Sequence, residues 1–375
     1  MKKVSDTIYT MLREVDEICR KEAIPYILSP ELSRIAALGM DLNENPLSGI
    51  VYIHMKDMER FREAAERNMP EKRALDSMEV NKRFPGFFFF YSATDTVCYC
   101  FNRGRNYRDP GIGIYICPLR PSEIPGARYR WISKLENGWK NTCDLYGETV
   151  TSQDILPICL TRLMGLFMTR KRLGRFIFRQ LCLCGRNRNS ADTLTAEKGC
   201  SEAFSSSLLN KLKKVRIRET EFSVPAGLGK YLSAQYGKGW RRYRRKEFIP
   251  SNVWLVSPLL SYKELFDTYP WIQRKSSDRR KLFVKSDALG EQFKAGFEEL
   301  WADMKQLEAG LKLESFYLKR LDYIRNLLES RDIQKLKKIF KPLDSWRKAG
   351  PTAYGDRHFS DSVMELYDAY HVLVQ

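Results

Sequence analysis

Three clusters of basic residues are the part of this sequence best suited to bind anions. The first contains Arg103, Arg105 and Arg108, the second Arg170, Lys171, Arg172 and Arg175, and the third Arg241, Arg242, Arg244, Arg245 and Lys246. The planar guanidinium of arginine can hold two phosphate oxygens at once. The anions that these clusters favour are therefore the phosphates of a nucleotide, a phosphorylated glycan or a membrane surface.

Each cluster also has a structural explanation that involves no ligand. The first lies between two predicted strands and fits a solvated hairpin loop equally well. The second follows an apolar stripe, as in an amphipathic helix on an anionic membrane or a core helix whose basic side chains reach solvent. The third alternates with aromatic residues, which suits glycan phosphates, single-stranded nucleic acid or a solvated face. Because no nucleic-acid-binding fold is recognisable, nucleic acid is disfavoured.

The composition indicates a folded protein with an anionic partner. The 375 residues include 64 Lys and Arg against 46 Asp and Glu, which gives a net charge of +18. The hydrophobic share of 43% excludes a wholly disordered chain. Such a surplus of positive charge favours binding to nucleotides, phosphorylated glycans or acidic membranes.

The cysteines and the apolar segments bear on the compartment. Nine scattered cysteines and only three histidines favour reduced thiols and disfavour a zinc site. The N-terminus lacks the apolar core of a signal peptide, and the apolar stretch 155–169 is too short to span a bilayer and carries Arg162. We expect a cytoplasmic protein, or one that is peripheral on the inner face of the membrane.

Apolar periodicity predicts an α+β fold with a more helical C-terminal region. Predicted strands cover 26–28, 49–55, 86–91, 96–101 and 113–117, the last ending at Pro118, with an extended piece at 222–225. Predicted helices cover 57–67, a pair within 153–183, 230–236, 289–313, 314–340 and 360–374, and residues 185–199 form an exposed connection. The predicted domains are 1–247 and 248–375.

The order of several motifs is similar to that of a known family. The motifs are Ile-Pro-Tyr-Ile-Leu-Ser at 24–29, Pro46-Leu47, the strand at 50–55, Gly-Ile-Tyr-Ile-Cys-Pro-Leu at 113–119, and a final set formed by Val224-Pro225, Tyr231-Leu232, Tyr236-Gly237 and Trp240. Over roughly residues 8–245 the chain resembles the LicD family. This group of nucleotidyltransferase fold includes bacterial phosphocholine transferases and fukutin-like phosphotransferases.

The resemblance implies a fold and a pathway. The fold would be a nucleotidyltransferase-like small mixed sheet with flanking helices. The pathway would be modification of a cell-surface glycan or teichoic acid. In this family a basic residue in the region matching Arg103, Arg105 and Arg108 can face the nucleotide phosphates.

The chain departs from the family where the metal ions should bind. The family's glycine pair falls on Pro30 and Glu31, and its metal-binding aspartates fall on Ile50, Tyr52 and Tyr115. Mg²⁺ requires hard oxygen ligands, which an isoleucine lacks and a neutral tyrosine supplies poorly. We therefore expect no metal cofactor, and a catalytically degenerate homologue that binds a phosphate-bearing glycan or nucleotide or supports an active paralogue.

A relocated carboxylate site is the alternative. Glu31, Asp41 and Glu44 lie between the first two predicted strands, and they would then bind Mg²⁺ for transfer of phosphocholine or a similar group from a CDP-type donor. The competing explanation is that Asp41 and Glu44 are solvated loop residues. By the same explanation, Asp57 caps the helix that follows it.

Overall fold

The structure is a computed structural model. It describes residues 4–42, 49–81, 84, 86–100, 110–122, 127–144, 155–186, 193–196, 202–243, 254–258, 260–268, 302, 305–306, 309–349 and 359–374. The chain is a mixed α+β protein, which confirms the predicted fold class. Its contacts divide it into an N-terminal unit, residues 2–266, and a C-terminal unit, residues 267–375.

The first 268 residues contain both helices and strands. The helices are α1 (Val4–Lys21), α2 (Pro30–Leu38), α3 (Met58–Asn68), α4 (Ala127–Asp144), α5 (Ile155–Phe167), α6 (Arg170–Arg186), α7 (Leu228–Tyr236) and α8 (Tyr262–Thr268). The strands are β1 (Tyr26–Leu28), β2 (Gly49–His54), β3 (Arg73–Asp76), β4 (Phe89–Ala93), β5 (Val97–Cys100), β6 (Gly113–Pro121), β7 (Thr193–Ala196), β8 (Phe204–Ser205), β9 (Leu212–Ile217), β10 (Thr220–Pro225) and β11 (Trp254–Ser257).

The main sheet has the strand order β1-β2-β6-β4-β3. Strands β2 and β6 are parallel, whereas β1 is antiparallel to β2 and β4 is antiparallel to β6. The first residues of β6 pair with β4, and its last three pair with β7, which in turn pairs with β8. Two further antiparallel pairs, β9–β10 and β5–β11, complete the strands.

Helix α1 covers one face of this sheet because its apolar residues recur at helical spacing. Ile8, Met11 and Val15 are all at most 2% exposed. At the start of β2 the packing is so close that a Cβ on Gly49 would lie 2.5 Å from the Ile114 side chain and 3.2 Å from Ile8. A side chain at this position would push the helix or β6 away from β2.

Helix α2 is bounded by residues suited to its ends. Ser29 accepts a hydrogen bond from the Leu32 amide, and Pro30 occupies the first helical position. Gly39 ends the helix with a φ of 64°, a conformation that glycine adopts without strain. These signals fix α2 directly after β1.

Distant segments of the chain close over β1. The amide of Ser223 donates to the Tyr26 hydroxyl at 3.3 Å, and the Tyr231 hydroxyl donates to the Leu28 carbonyl at 3.1 Å. The pair β9–β10 and helix α7 therefore belong to the same folded body as β1, although about two hundred residues separate them in sequence.

The C-terminal unit is helical where the structure describes it. Residues 309–318 are helical, followed by α9 (Leu321–Glu329), α10 (Ile333–Lys348) and α11 (Asp361–Val374). Its core is aromatic: the Phe340 ring lies 5.4 Å from Tyr317, 5.5 Å from Tyr367 and 4.9 Å from Tyr370. Burial raises the pKa of both Tyr317 and Tyr367 to about 12, so both hydroxyls stay protonated at neutral pH.

Several predicted elements differ from the structure. Strand β6 runs through Pro118 to Pro121, because β7 pairs with the residues beyond the proline. Strand β7 lies inside the predicted exposed connection 185–199. The predicted helix 314–340 is interrupted at Arg320 and again at Ser330–Arg331, where Arg331 has a φ of 51°. Residues 289–300 lie outside the described residues.

The contacts place the division between the units at Phe266 and Asp267, compared with the predicted boundary after residue 247. The reason is that β11 pairs with β5, with Leu255 opposite Tyr99. This pairing keeps residues 254–257 with the N-terminal unit.

Candidate functional site

The candidate site is one face of the β2–β6 pair. Ile50 lies opposite Tyr115, and Tyr52 lies opposite Cys117 in the parallel ladder. Paired residues and alternate residues of a strand share a face. The structure therefore brings together the three positions, Ile50, Tyr52 and Tyr115, at which the LicD resemblance would place metal-binding carboxylates.

Aromatic and apolar side chains fill this face. Tyr52 is completely buried and Ile50 is 7% exposed. The Tyr115 ring lies 5.1 Å from Phe90, its neighbour across β4, and 5.5 Å edge-on from Phe88. Such ring contacts add to the stability of the sheet.

These residues do not fit a divalent cation. Mg²⁺ takes carboxylate, carbonyl or water oxygens in near-octahedral geometry, and packed aromatic rings leave it neither the ligands nor the space. Across the ranges that the structure describes, no group of three or more His, Cys, Asp or Glu residues could hold a metal ion. The side chains at these three positions thus disagree with the metal that the resemblance implies.

The two alternative carboxylates that the structure describes lie apart. Glu31 lies in the first turn of α2 and Asp41 lies beyond its last turn, so about 10 Å of helix separates them. Asp41 accepts from Arg218 at 3.4 Å, and the same arginine pairs with Asp6 at 2.8 Å. Glu44 lies outside the described residues.

Asp57 does not cap α3 through its side chain, contrary to the prediction. Its backbone is helical, with a φ of −98° and a ψ of −3°, and the carboxylate makes no capping bond. It accepts instead from Arg60 at 3.1 Å.

Three of the four cations in the second basic cluster have partners within the chain. Arg170 donates to the Trp139 carbonyl at 2.7 Å and stacks 4.2 Å from its ring centroid. Lys171 and Arg175 pair with Glu79 at 2.9 and 2.5 Å. The hydrogen bond from Arg175 lowers the pKa of Glu79, against the opposing effect of burial. Arg172, the fourth cation, is exposed.

Arg34 of α2, a residue outside the three predicted clusters, binds the chain within the third cluster. Arg34 is only 7% exposed, donates to the Tyr243 carbonyl at 3.0 Å and lies against the rings of Tyr236 and Tyr243. Its Nε has no hydrogen-bond partner within the described residues. Its only signal in the sequence is an arginine among mostly apolar and small residues of α2, and this pattern does not identify its distant partners.

Arg34 therefore holds the segment 240–243 beside the helix that follows β1. Within this segment Arg241 lies 5.3 Å over the Trp240 ring, and Arg242 is exposed. Two groups of predicted residues lie outside the described residues: the phosphate-binding candidates Arg103, Arg105 and Arg108, and the rest of the third cluster, Arg244, Arg245 and Lys246. The described residues thus show a closed apolar face on the β2–β6 pair and, beside α2, two exposed arginines.

Among the helices that the structure describes, none has the length and apolar character needed to cross a membrane.

Comparison with known proteins identifies no relative. No protein-family model, no curated protein and no solved structure matches this chain.

Proposed function

We propose that residues 1–247 form a LicD-like domain of nucleotidyltransferase type. In this proposal the domain binds a nucleotide or a phosphorylated glycan without a divalent metal at the inherited position. Its role is in the modification of a cell-surface glycan or teichoic acid, where it binds the phosphate-bearing ligand itself or assists an active paralogue.

The order of elements supports this proposal. Strand β1, helix α2, strand β2 and helix α3 follow one another, and β6 then adds in parallel to β2. The motif at 113–119 lies in β6, and the motifs at 224–240 lie in β10, α7 and the turn after it. The pieces that carry the resemblance thus lie in one folded unit.

One observation carries the proposal: Ile50, Tyr52 and Tyr115 share a face that is filled by side chains. Phosphoryl transfer builds charge on phosphate oxygens, and divalent ions normally stabilise that charge. A buried isoleucine, a completely buried tyrosine and a second tyrosine packed against two phenylalanines supply no such ligand set. In this proposal, cationic side chains bind the phosphate-bearing ligand without help from a divalent metal.

Arginines can supply that binding. Arg241 and Arg242 extend from a segment that Arg34 holds beside α2, and arginine binds phosphate oxygens in a bidentate manner. The net charge of +18 would also increase the rate at which anionic ligands arrive.

Titration calorimetry with CDP-choline, in the presence of either Mg²⁺ or EDTA, tests the proposal on the full chain. We expect the same dissociation constant in both buffers, because no metal bridges the protein and the phosphates. Affinity that rises tenfold or more with Mg²⁺ would instead support a relocated carboxylate site. The absence of binding to both CDP-choline and a phosphorylated glycan fragment would contradict the proposed ligand class.

Matched variants separate specific binding from general attraction. We expect Arg242→Gln to weaken binding about tenfold, the loss typical of a charge-assisted hydrogen bond. Lys319→Gln removes the same single charge from an exposed position in the C-terminal unit and should leave binding unchanged. Equal losses in the two variants would show that only net charge matters.

A further inference from the structure

The C-terminal end of α5 exposes large apolar side chains. Leu163 is 56% exposed, Leu166 is 78% exposed and Phe167 is 87% exposed. We call residues 163–167 the apolar corner. A Cβ placed on Gly165, in its middle, would meet no atom within 4 Å.

The corner is not a frayed end, because α6 begins in a capped turn directly after it. The Thr169 side chain accepts from the Arg172 amide at 3.3 Å, and the Thr169 carbonyl accepts from the Leu173 amide at 2.9 Å. The opposite face of α6 is buried, with Leu173 at 1% and Ile177 at 0% exposure. The apolar side chains of the corner are therefore presented to solvent by a fixed scaffold.

The segment that carries the corner has charges of one sign. Residues 155–186 contain no Asp or Glu, and their basic residues are Arg162, Arg170, Lys171, Arg172, Arg175, Arg179 and Arg186. Arg172 and Arg179 are exposed on α6. Exposed Leu and Phe beside cations without acidic neighbours in the segment are complementary to an anionic lipid surface.

We propose that the apolar corner inserts into the interface of an anionic membrane. Leu166 and Phe167 enter the acyl boundary, while Arg172 and Arg179 contact the lipid phosphates. Arg170, Lys171 and Arg175, which the sequence suggested for this role, serve instead to hold α6 against Trp139 and Glu79. The proposal goes beyond the ligand-binding function and does not depend on it.

Flotation of the full chain with lipid vesicles tests this. We expect binding to vesicles that contain phosphatidylglycerol and little binding to phosphatidylcholine alone. The double variant Leu166→Ser, Phe167→Ser should reduce the partition coefficient by tenfold or more, since each side chain loses its burial in lipid. Phe167→Trp, which keeps an apolar ring, should bind as the unchanged protein does.

The matched control lies on another helix. Val372 is 75% exposed on α11, and Val372→Ser should leave vesicle binding unchanged. The double variant Arg172→Gln, Arg179→Gln should weaken binding by about fivefold for each charge.

Two results would overturn the proposal. One is equal vesicle binding by the unchanged protein and the Leu166→Ser, Phe167→Ser variant. The other is a dimer, seen by analytical ultracentrifugation, that this variant dissociates while vesicle binding persists, since a second copy would then cover the corner. The double variant at Leu166 and Phe167 and the double variant at Arg172 and Arg179 alter only exposed positions. Circular dichroism should therefore show that their fold is unchanged.

Discussion

One buried carboxylate in the N-terminal unit, Glu136, is neutralised by two cationic side chains. Glu136 is 3% exposed and binds Arg120 at 2.5 Å and Lys140 at 2.6 Å. Burial alone would raise the pKa of Glu136, but the charges of Lys140 and Arg120 outweigh it, so its pKa lies below the ordinary value. This carboxylate therefore stabilises the folded state only while it is ionised.

We expect Glu136→Gln to lower the free energy of unfolding at pH 7 by about 3 kcal/mol, because two cations lose their counter-charge in a buried setting. A depressed native pKa means that the contribution is complete above the unfolded pKa near 4.5 and disappears as the pH falls through the lower native pKa. Urea unfolding at pH 7 and pH 3 measures this. If the unchanged protein and the Glu136→Gln variant differed as much in free energy of unfolding at pH 3 as at pH 7, the ion-pair explanation would be contradicted.

At the residue scale, the resemblance singled out Ile50, Tyr52 and Tyr115, and the apolar and aromatic pattern around them predicted two strands. That these strands are neighbours followed only from the structure. Arg34 and Glu136 could not be placed, since a lone charge within a helix reads as exposed until its partners, which are distant in sequence, are known. The network of Glu136 joins α4 to Arg120 in β6, a pairing that no local pattern encodes.

At the scale of elements, the contact between α6 and α4 depends on a position without a side chain. A Cβ on Gly174 would lie 2.9 Å from the Trp139 ring and 3.1 Å from Met78. Trp139 in turn stacks on Phe87 at 4.9 Å and donates to the Arg170 carbonyl at 3.1 Å. The close approach of the two helices therefore requires glycine here.

A pair of glycine substitutions tests this. We expect Gly174→Ala to destabilise the protein by about 1–3 kcal/mol through overpacking against the indole. Gly165→Ala, also within a helix but in open space, should stabilise it by about 0.5–1 kcal/mol through helix propensity. Thermal or urea unfolding measures both changes. Stabilisation by both substitutions would show that the helices can separate freely.

The elements that the sequence missed have physical reasons. Strand β9 carries Lys213, Lys214 and Arg216 on a largely exposed surface, so it lacks the alternation that identifies a half-buried strand. The break at Ser330–Arg331 lies within a continuous apolar pattern, and only the positive φ of Arg331 shows it. Strand β6 continues through Pro118 because β2 pairs alongside it and β7 pairs with the residues just beyond it.

At the scale of the whole molecule, the two units have separate cores. The C-terminal core joins residues between Leu313 and Leu373 around Phe340, which is completely buried. The largest core of the N-terminal unit runs from α1 through the main sheet to α7. Composition predicted a folded chain with a helical end, but the position of the division followed only from the pairing of β11 with β5.

We expect Phe340→Ala to destabilise the C-terminal unit by about 3–5 kcal/mol, because it leaves a cavity among three tyrosines. Hydrogen exchange followed by mass spectrometry should show faster exchange in α9–α11 and unchanged exchange in α1, β2 and β6. The substitution Phe340→Leu, which fills most of the space, should have a smaller effect. Faster exchange throughout the chain would contradict the separation of the cores.

The hydrogen bonds from Ser223 and Tyr231 to β1 also bear on how the chain folds while it is being synthesised. When β1 leaves the ribosome, the groups that seal it have not yet been translated. The nascent sheet must therefore wait for almost the entire N-terminal unit before it can close. Long-range contacts of this kind slow folding and prolong the exposure of unpaired, aggregation-prone strands. We therefore expect chaperones to bind the growing polypeptide.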